Sequence, residues 1–598
     1  MQNAMPIRPV RALTFILCGA SLLLCTSLRA AAPAWVEKSN QNTQLLLNVT
    51  SRFQPEGATF RGLEGYDDKV SDLLPGNDER LEAALVGVRE ELQKRLDSEA
   101  DPAIRQDLEI LIKSASNQLE TEVLTYRLTL SYTDVGQLIF YGEFGLLQEQ
   151  TPASKHPSAL GRLKRYTGIE PGYTPITELA KARYLETAAD PARIGPYRNE
   201  VEQHLSNIAR YTDGVRKLFT KYGLDKAEGA PAALDALDKQ MADYGAWVRA
   251  TVLPRARKDF RLPPELYANS LKNVGMDLPP QELMQKAEVA FTELRNEMQA
   301  LAVLVAKEHG FKDSDYRAVI HDLKKEQLGK DEVMPWYREV LTHIEENIRS
   351  HRIATLPDRP MEIRMASEAE SAGEPAPHMQ PPPLINNKGE RGTFVLSMGN
   401  PQAAGMKTDA YDDFTFKAAA WTLTSHEGRP GHELQFSAMV ERGVSLARSI
   451  FAFNSVNVEG WALYCEAEMK PYEPLDGQLI ALQHRLMRAT RAFVDPMLNL
   501  GLISKERVHD ILVNDVCLSE ALAREEVDRY TFNAPGQATS YFYGYQKLME
   551  LRTTTEVALG SKFDRLAFND FVVGQGLLPP DLLAKAVNEE FIPSQSGK

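Results

Sequence analysis

Two histidines and a glutamate lie close together in the stretch His426-Glu-Gly-Arg-Pro-Gly-His432. In the zinc-peptidase pattern HExxH, the histidines are four residues apart on one helix face, and the glutamate after the first serves as the base. Here the second histidine follows the first by six residues. On an unbroken helix, residues six apart point about 120° away from each other. A continuous helix therefore could not present both imidazoles to one ion.

Pro430 and Gly431, which lie between the two histidines, remove this objection. Proline lacks an N–H, and its ring collides with the carbonyl group four residues earlier, here that of His426. The glycine that follows tolerates almost any backbone conformation. We therefore expect one helix to end at this point and a new helix to begin near His432, which would turn both imidazoles towards one ion. An ordinary helix end that happens to contain two histidines is the alternative.

A third ligand is predicted at Glu459, in the stretch Asn-Val-Glu-Gly-Trp-Ala-Leu-Tyr. An acidic side chain at the start of an apolar, aromatic helix is out of place unless it is paired or bound to a metal. Catalytic zinc normally takes three protein ligands and leaves a fourth position for water. We predict one Zn²⁺ per chain, held by His426, His432 and Glu459, with Glu427 as the base.

Four further residues of metal-binding type are weighed against this set. Glu466 lies seven residues after Glu459; we expect a solvated glutamate, with a contact to the ligand set as the alternative. Cys465 is expected to be a small core residue rather than a ligand for a soft metal. His484 and His509 stand alone in amphipathic helices, so we interpret both as structural.

The C-terminal third resembles the bacterial DUF 885 family of predicted metallopeptidases. The resemblance rests on the stretches HEGRPGHELQ, VEGWALYCE, RLMRATRAFVD and EVDRYTFNAPGQATSYFYGYQKLMELR, and it is clearest from about residue 255 onward. This family in turn is similar to the helical, deep-channel oligopeptidases related to thimet oligopeptidase and neurolysin. The resemblance implies the same ligands, His426, His432 and Glu459, and the same base, Glu427.

The resemblance also implies a catalytic tyrosine. Amide hydrolysis builds negative charge on the carbonyl oxygen, and a tyrosine hydroxyl beside the metal can stabilise it. Tyr541 matches a tyrosine of the family, and Tyr545 matches a tyrosine that has this function in the related oligopeptidases. We favour Tyr541 and keep Tyr545 as the alternate, since some of the aromatic residues from 541 to 545 must simply pack a helix.

Two positions depart from the family pattern. Glu433 stands where the family usually has a histidine, and Asn499 stands where a histidine often follows an aspartate. We expect either residue to contact the ligand set or the substrate, so substrate preference is not carried over from the family.

The elements that position these residues are predicted to be mainly helical, because apolar residues recur at three- and four-residue spacing along most of the chain. The segment 357–404 is rich in proline and glycine, with two short strand-like stretches, EIRM and GTFVLSMG. We expect one large domain, 31–598, with an N-terminal helical lobe 31–356, this strand-and-loop insert 357–404 and a C-terminal helical part 405–598. The fold class is a two-lobed helical metallopeptidase with a deep cleft and a small β-sheet near the site, where GTFVLSMG would pair with an extended substrate.

The N-terminus has the pattern of a secretory signal peptide, residues 1–30. Arg8 and Arg11 precede an apolar run that ends in small residues, and neither Cys18 nor Cys25 follows the small residue that a lipoprotein site needs. We expect a periplasmic or secreted protein without a stable membrane anchor. The two remaining cysteines, Cys465 and Cys517, are expected to be buried thiols.

The formal net charge of −14 and the lack of a basic run argue against a nucleic-acid partner. The expected function is a secreted zinc peptidase acting on short peptides, because a cleft between helical lobes would exclude folded proteins. A metal-dependent hydrolase of other amides or esters and a non-catalytic helical binding protein are the alternatives. Arg488, Arg491 and Arg552 are candidates for binding a substrate carboxylate, and no pattern indicates the oligomeric state.

Overall fold

The structure is a computed structural model that describes residues 33–397 and 411–596. The predicted signal peptide, 1–30, lies outside the described residues, as does the end of the predicted insert, 398–404. Helices dominate the described chain, as the apolar spacing predicts. Before the insert they are α1 (Ala34–Phe53), α2 (Pro55–Arg61), α3 (Asn77–Ser98), α4 (Pro102–Leu128), α5 (Val135–Phe144), α6 (His156–Tyr166), α7 (Ile176–Ala188), α8 (Arg198–Lys221), α9 (Ala230–Trp247), α10 (Pro264–Asn273), α11 (Pro280–His309), α12 (Tyr316–Leu323) and α13 (Lys330–Ser350).

The C-terminal part is also helical and contains the residues of the candidate site. Its helices, with the one inside the insert, are α14 (Glu368–Gly373), α15 (Ala419–Leu423), α16 (His432–Arg442), α17 (Ser455–Met469), α18 (Leu475–Asn499), α19 (Lys505–Asn514), α20 (Glu520–Asp528), α21 (Thr539–Leu559), α22 (Arg565–Gly574), α23 (Pro580–Ala586) and α24 (Ile592–Ser596).

A small sheet of three strands occupies the insert, as predicted: β1 (Glu362–Met365), β2 (His378–Gln380) and β3 (Thr393–Leu396). Strand β3 lies in the middle, parallel to β1 and antiparallel to β2. The prediction that GTFVLSMG pairs with substrate is therefore wrong, because both edges of β3 already pair with neighbouring strands. The sequence missed β2, a strand of three residues within proline-rich text.

Two apolar clusters hold the helices that matter for the site, and a third lies in the N-terminal part. Helix α11 packs along α18, where Leu294, Met298, Leu486 and Phe493 are buried together. Helix α17 packs against α21 and α22 through Trp461, Leu548 and Phe568. In the N-terminal part, α5, α8 and α9 form a separate cluster with Ile139, Val215 and Leu237. The candidate site thus lies on elements fixed by their own cores.

Contacts between Cα atoms group Ala32–Lys598 into one compact unit. The division of this unit into two lobes with a deep cleft stays a prediction. Cys465 and Cys517 are both free and buried, which confirms the expectation for these thiols. Within 33–397 and 411–596, none of the helices has both the length and the apolar character needed to cross a membrane.

Candidate metal centre and cavity

The helix is interrupted between the two histidines, as the Pro-Gly sequence predicts. Helix α15 continues into a wider helical turn, Thr424–Gly428, which carries His426 and Glu427, and α16 begins at His432. A Cβ atom on Gly431 would lie 2.0 Å from the carbonyl oxygen of His426. Only glycine allows the backbone to approach itself this closely, so Gly431 permits the turn that brings His432 back towards His426.

Side chains around this turn hold it in place. Trp461 Nε1 and Cys465 Sγ donate to the carbonyl oxygen of Pro430, at 3.0 and 3.3 Å. The buried Arg429 donates from Nε to Glu433 Oε2 at 2.7 Å and from Nη1 to Glu345 Oε1 at 2.7 Å. Glu433 therefore fixes the turn by an ion pair with Arg429. The expectation that it contacts the ligand set or the substrate is wrong.

The three predicted ligands meet at one point. Atoms of His426, His432 and Glu459 all lie within 4.8 Å of one another. Glu459 Oε2 is 3.5 Å from His426 Nε2 and 3.4 Å from His432 Nε2. Ligands about 2.0–2.1 Å from a tetrahedral zinc ion are separated by about 3.3–3.5 Å. The two separations from Glu459 to the histidines have this length, so the three side chains could hold one metal ion.

The two oxygens of Glu459 have different surroundings. Oε1 accepts from Gln537 Nε2 at 3.4 Å, and Gln537 Nε2 also donates to Ser455 Oγ at 2.9 Å. Oε2 is buried and has no hydrogen-bond partner among the described residues. A buried carboxylate oxygen without a hydrogen bond is costly, and a cation between the two imidazoles would satisfy it. The residues present therefore fit a metal ion.

Glu466 is fully buried, so the expectation of a solvated side chain is wrong. It accepts from His426 Nδ1 at 2.6 Å and from Thr422 Oγ1 at 2.8 Å. Burial alone would raise the pKa of Glu466, but the charge of Arg488 and the contact with His426 lower it to about 2. An ionised Glu466 fixes the proton of His426 on Nδ1 and leaves the lone pair of Nε2 for a metal, the usual arrangement for a ligating histidine.

The electrostatics of the site favour positive charge. Burial alone would lower the pKa of His426, but the contacts with Glu459 and Glu466 and the charge of Glu427 raise it to about 9. Burial likewise opposes ionisation of Glu459, yet the two histidines hold its pKa well below the ordinary value. Without an ion, the cluster binds a proton where a cation would otherwise lie.

A close contact between helices α17 and α21 positions Glu459 relative to Tyr541. A Cβ atom on Gly460 would lie 2.5 Å from the carbonyl carbon of Gly544, and one on Gly544 would lie 2.0 Å from the carbonyl oxygen of Val456. The two backbones thus touch one residue after Glu459 and three residues after Tyr541. The paired glycines keep the carboxylate and the phenol within the same site.

A cavity of ≈ 570 Å³ opens onto this cluster. Glu427, His432, Glu459 and Tyr541 line it, together with largely apolar walls. Strand β2 contributes His378 and Met379, which confirms the prediction of a small sheet near the site. Glu427 Oε1 lies 3.8 Å from His426 Nε2, so its carboxylate faces the same space as the ligand atoms.

The structure separates the two candidate tyrosines. Tyr541 lines the cavity, its ring stacks on that of His426 with centroids 6.2 Å apart, and its hydroxyl oxygen accepts from Arg529 Nη2 at 2.8 Å. Burial raises the pKa of Tyr541. Tyr545 packs against the apolar cluster around Leu548 and is not among the described residues that line the cavity. Only Tyr541 is brought to the ligands.

The remaining predicted residues have mixed outcomes. His484 lines the cavity, and burial lowers its pKa to about 3, so it is neutral; its interpretation as a structural residue stays a prediction. His509 lies at the surface, 3.1 Å from a carboxylate oxygen of Glu520, as a structural residue would. Asn499 donates to Asp495 and to the carbonyl of Tyr530, so its expected contact with ligands or substrate is wrong.

Sequence reasoning missed two residues of the site, Arg529 and Gln537. Arg529 donates to both Tyr541 and Gln537, and Gln537 contacts Glu459. Both lie in the stretch EVDRYTFNAPGQATSY that carries the family resemblance, which was the available signal. Their spacing of eight residues gave no indication of contact, because the chain leaves the helix between them.

Comparisons with known proteins agree with the fold. The crystal structure of a "putative lipoprotein from Colwellia psychrerythraea" is similar at 18% identity and a TM-score of 0.74, over 94% of this chain and 99% of that one. The structure of a "putative lipoprotein of unknown function from Shewanella oneidensis" is similar at 19% identity and a TM-score of 0.68, over 93% and 100%. The TM-scores show a shared fold. Sequence identities this low indicate nothing about activity.

Curated proteins gave no match. The family model for "Bacterial protein of unknown function (DUF885)" matches residues 55–587, a span that includes all the predicted ligands, the base and both tyrosines. The chain therefore belongs to the DUF885 family of bacterial proteins.

Proposed function

We propose that this protein is a zinc-dependent peptidase that hydrolyses short peptides. The observation that carries the proposal is the convergence of His426, His432 and Glu459 beside a cavity: their ligand atoms lie within 4.8 Å of one another, and Glu459 Oε2 is 3.5 and 3.4 Å from the Nε2 atoms of His426 and His432. Glu427 faces the same cavity as a candidate base. The similarity to thimet oligopeptidase and neurolysin that the sequence suggests belongs to this proposal as well.

Each residue has a defined task in the proposed reaction. Zinc bound by the two histidines and Glu459 would act as a Lewis acid and lower the pKa of water to near neutrality. Glu427 accepts the proton of the attacking water and passes it to the leaving amine. Glu466 keeps the imidazole of His426 in the required orientation and tautomer.

Tyr541 is proposed to stabilise the charge that forms on the carbonyl oxygen. Arg529 donates to the oxygen of Tyr541, so the tyrosine's own proton is free to point into the cavity. With its pKa raised by burial, Tyr541 stays protonated and can donate this proton as a hydrogen bond.

The cavity and the sequence support a short substrate met outside the cytoplasm. A cavity of ≈ 570 Å³ accommodates a few residues of an extended peptide and excludes a folded protein. The predicted signal peptide supports export, and both similar structures are described as lipoproteins. We propose a periplasmic or secreted location.

The first test is elemental analysis of the purified protein from residue 31 onward, without added metal. We expect about one zinc per chain, and an equal amount for His509→Ala, a surface control. His432→Ala should retain at most a small fraction of the zinc bound by the wild-type protein, because removing one of three ligands weakens zinc binding by orders of magnitude. A wild-type protein that stays free of metal after incubation with zinc would exclude this mechanism and favour a non-catalytic binding protein.

The second test separates peptide hydrolysis from hydrolysis of other amides or esters. Mass spectrometry of a random tetrapeptide pool incubated with the zinc-loaded protein should detect cleaved products. Glu427→Gln should keep the metal and lose about 10²–10⁴-fold in turnover, the usual contribution of a general base. Turnover of ester or aryl-amide probes without any peptide cleavage would instead favour the alternative hydrolase.

A further inference from the structure

Three arginines surround the phenol ring of Tyr541. The Cζ atoms of Arg488, Arg491 and Arg529 lie 5.8, 4.6 and 5.4 Å from the ring centroid. All three arginines line the cavity beside the candidate metal ligands. Four carboxylates line the same cavity, those of Glu374, Glu427, Glu459 and Glu526. Like charges this close together are unfavourable unless each is paired with an anion, so the pairing of each arginine matters.

Arg491 is compensated within the protein. Its Nε and Nη2 atoms donate to the two oxygens of Glu526 at 2.7 and 2.5 Å, a bidentate ion pair that is almost entirely buried. The guanidinium and the carboxylate hold each other's pKa in the charged range. Arg491 therefore has a structural role in the cavity wall, because its charge is already paired with that of Glu526.

Arg529 makes its hydrogen bonds to neutral groups instead. Its Nε and Nη2 atoms donate to Gln537 Oε1 at 3.1 and 2.8 Å, and Nη2 also donates to the hydroxyl of Tyr541. The carboxylate of Glu526, which Arg491 holds by two hydrogen bonds, is 3.9 Å from Nη1, so Arg529 shares this anion through a long ion pair without a hydrogen bond. Because Gln537 also contacts Glu459, this guanidinium lies immediately beside the candidate metal centre.

Arg488 is only 4% exposed and is also incompletely paired. Its Nε atom has no hydrogen-bond partner among the described residues. Nη1 donates to the carbonyl oxygen of His484 at 3.3 Å, and Nη2 is 3.5 Å from Glu466 Oε1. That oxygen already accepts from His426 at 2.6 Å, so Arg488 shares its carboxylate with a stronger partner.

We propose that Arg488 and Arg529 form a subsite for a carboxylate of the substrate, next to the bond that is cut. The inference rests on the proposed peptidase function and adds the substrate class: peptides with either a free C-terminal carboxylate or an acidic side chain at that position. Guanidinium groups bind carboxylates through paired, charge-assisted hydrogen bonds, and apolar walls strengthen such bonds.

Binding measured without turnover tests the subsite. Zinc-loaded Glu427→Gln protein is immobilised and exposed to two random tetrapeptide pools, identical except for a free C-terminal carboxylate or a carboxamide. We expect about tenfold or greater enrichment of the free-carboxylate pool, equivalent to one charge-assisted contact. Enrichment of Asp and Glu over Asn and Gln within the carboxamide pool would identify an acidic side chain as the bound group. The inference is overturned if the protein retains all these sequences equally, or if it retains none of them.

Variants locate the subsite. Arg529→Gln and Arg488→Gln, each in the Glu427→Gln background, should reduce the enrichment to near one, while Arg529→Lys should retain part of it because the charge remains. Arg485→Gln is the matched control, since Arg485 lies on the same helix as Arg488 but stacks on Tyr545. Melting curves confirm that each variant is folded. The proposed location would be wrong if both glutamine variants kept the full enrichment. It would also be wrong if the enrichment were lost only in Arg61→Gln, a variant at another part of the cavity wall.

The subsite and the peptidase function fail in different ways. Carboxylate-selective retention by a protein that never cleaves peptides would support the subsite and contradict the function. Equal cleavage of the free-carboxylate and carboxamide pools by the wild-type protein would support the function and contradict the subsite.

Discussion

Two buried polar networks in this protein differ in how completely they are satisfied. In the N-terminal part, Arg162 is fully buried and donates to the carbonyl oxygens of Lys69, Gly142 and Tyr66 and to the hydroxyl of Thr59, at 2.6–3.0 Å. At the cavity, Glu459 Oε2, His432 Nδ1, His484 Nδ1 and Arg488 Nε are buried without a hydrogen-bond partner among the described residues.

The difference indicates what each network is for. The neighbouring Glu143, whose pKa burial raises, has no hydrogen-bond partner for either oxygen among the described residues and is an exception in this region. Every nitrogen of the Arg162 guanidinium, in contrast, has an acceptor. Such a network stabilises one fold and needs nothing from outside. The four residues that carry the unpaired atoms all line one cavity. On our proposals a metal ion would satisfy Glu459 Oε2, and a substrate carboxylate would pair with the guanidinium of Arg488.

Breaking the closed network should have the largest effect on stability. Arg162→Met removes the donor from four acceptors, two of them in buried hydrogen bonds and two in part-buried ones, and we expect a loss on the order of 3–5 kcal/mol in the free energy of unfolding. Lys164→Met, on the same helix but at the surface, should change it by less than about 0.5 kcal/mol. Urea unfolding followed by circular dichroism measures both.

Metal content provides the control for this comparison. The folded fraction of Arg162→Met should bind as much zinc as the wild type, because the two networks share no residue. Loss of zinc from a folded Arg162→Met protein would show that the networks are coupled, and the comparison would then be wrong.

At the cavity the effect should fall on activity rather than stability. Tyr541→Phe should lower turnover of a cleaved peptide by about 10²–10³-fold, as removal of an oxyanion donor does. Tyr545→Phe should change it by less than about twofold, since Tyr545 packs away from the cavity. Steady-state kinetics measures turnover for both variants. If Tyr545→Phe lost more turnover than Tyr541→Phe, Tyr545 and not Tyr541 would be the residue that stabilises the oxyanion.

A smaller effect is expected at Glu466, a buried carboxylate that contacts the candidate ligand His426. Glu466→Gln removes the charge that orients His426, and we expect zinc affinity to fall about 10–100-fold. Glu468→Gln, two residues further along α17 and paired with Arg552 and Arg565, should leave zinc affinity unchanged. Competition against a zinc chelator gives both dissociation constants; equal values for Glu466→Gln and wild type would reduce Glu466 to a structural residue.

Local chemistry explains what the sequence could predict. The helix break at Pro430 and Gly431 follows from two local properties: proline interrupts a helix, and glycine tolerates almost any backbone conformation. The six-residue spacing of the histidines could therefore be interpreted without a structure. The helical fold and strands β1 and β3 follow from periodicity over short windows. Each of these features depends on residues that are neighbours along the chain.

The features that sequence reasoning missed depend on packing between distant elements. Glu466 has the spacing of a solvated helix residue, and it is buried because α15 and α18 supply Thr422 and Arg488 as partners. The middle position of β3 is set by β2, whose three residues have no strand pattern of their own. The contact of Arg529 and Gln537 depends on how the chain turns between α20 and α21.

Glu473 extends the comparison to a buried carboxyl group that belongs to neither network. It is 5% exposed, neither oxygen has a partner in the described chain, and burial raises its pKa to about 8. Unfolded, this group ionises near its ordinary pKa of 4.5. Because the folded pKa is the higher one, the stability it contributes is complete below pH 4.5 and is lost as pH rises towards 8.

Glu473→Gln cannot ionise and should escape that loss. We expect its free energy of unfolding to match that of the wild type near pH 4.5 and to exceed it by on the order of 4 kcal/mol at pH 8, since the folded and unfolded pKa values differ by several units. Thermal unfolding of both proteins at several pH values measures the difference, with zinc content as a check that the candidate metal centre is intact. A difference that stays constant with pH would show that Glu473 finds a charge partner when the protein folds. The carboxyl group would then belong with the closed network around Arg162 rather than with the open atoms of the cavity.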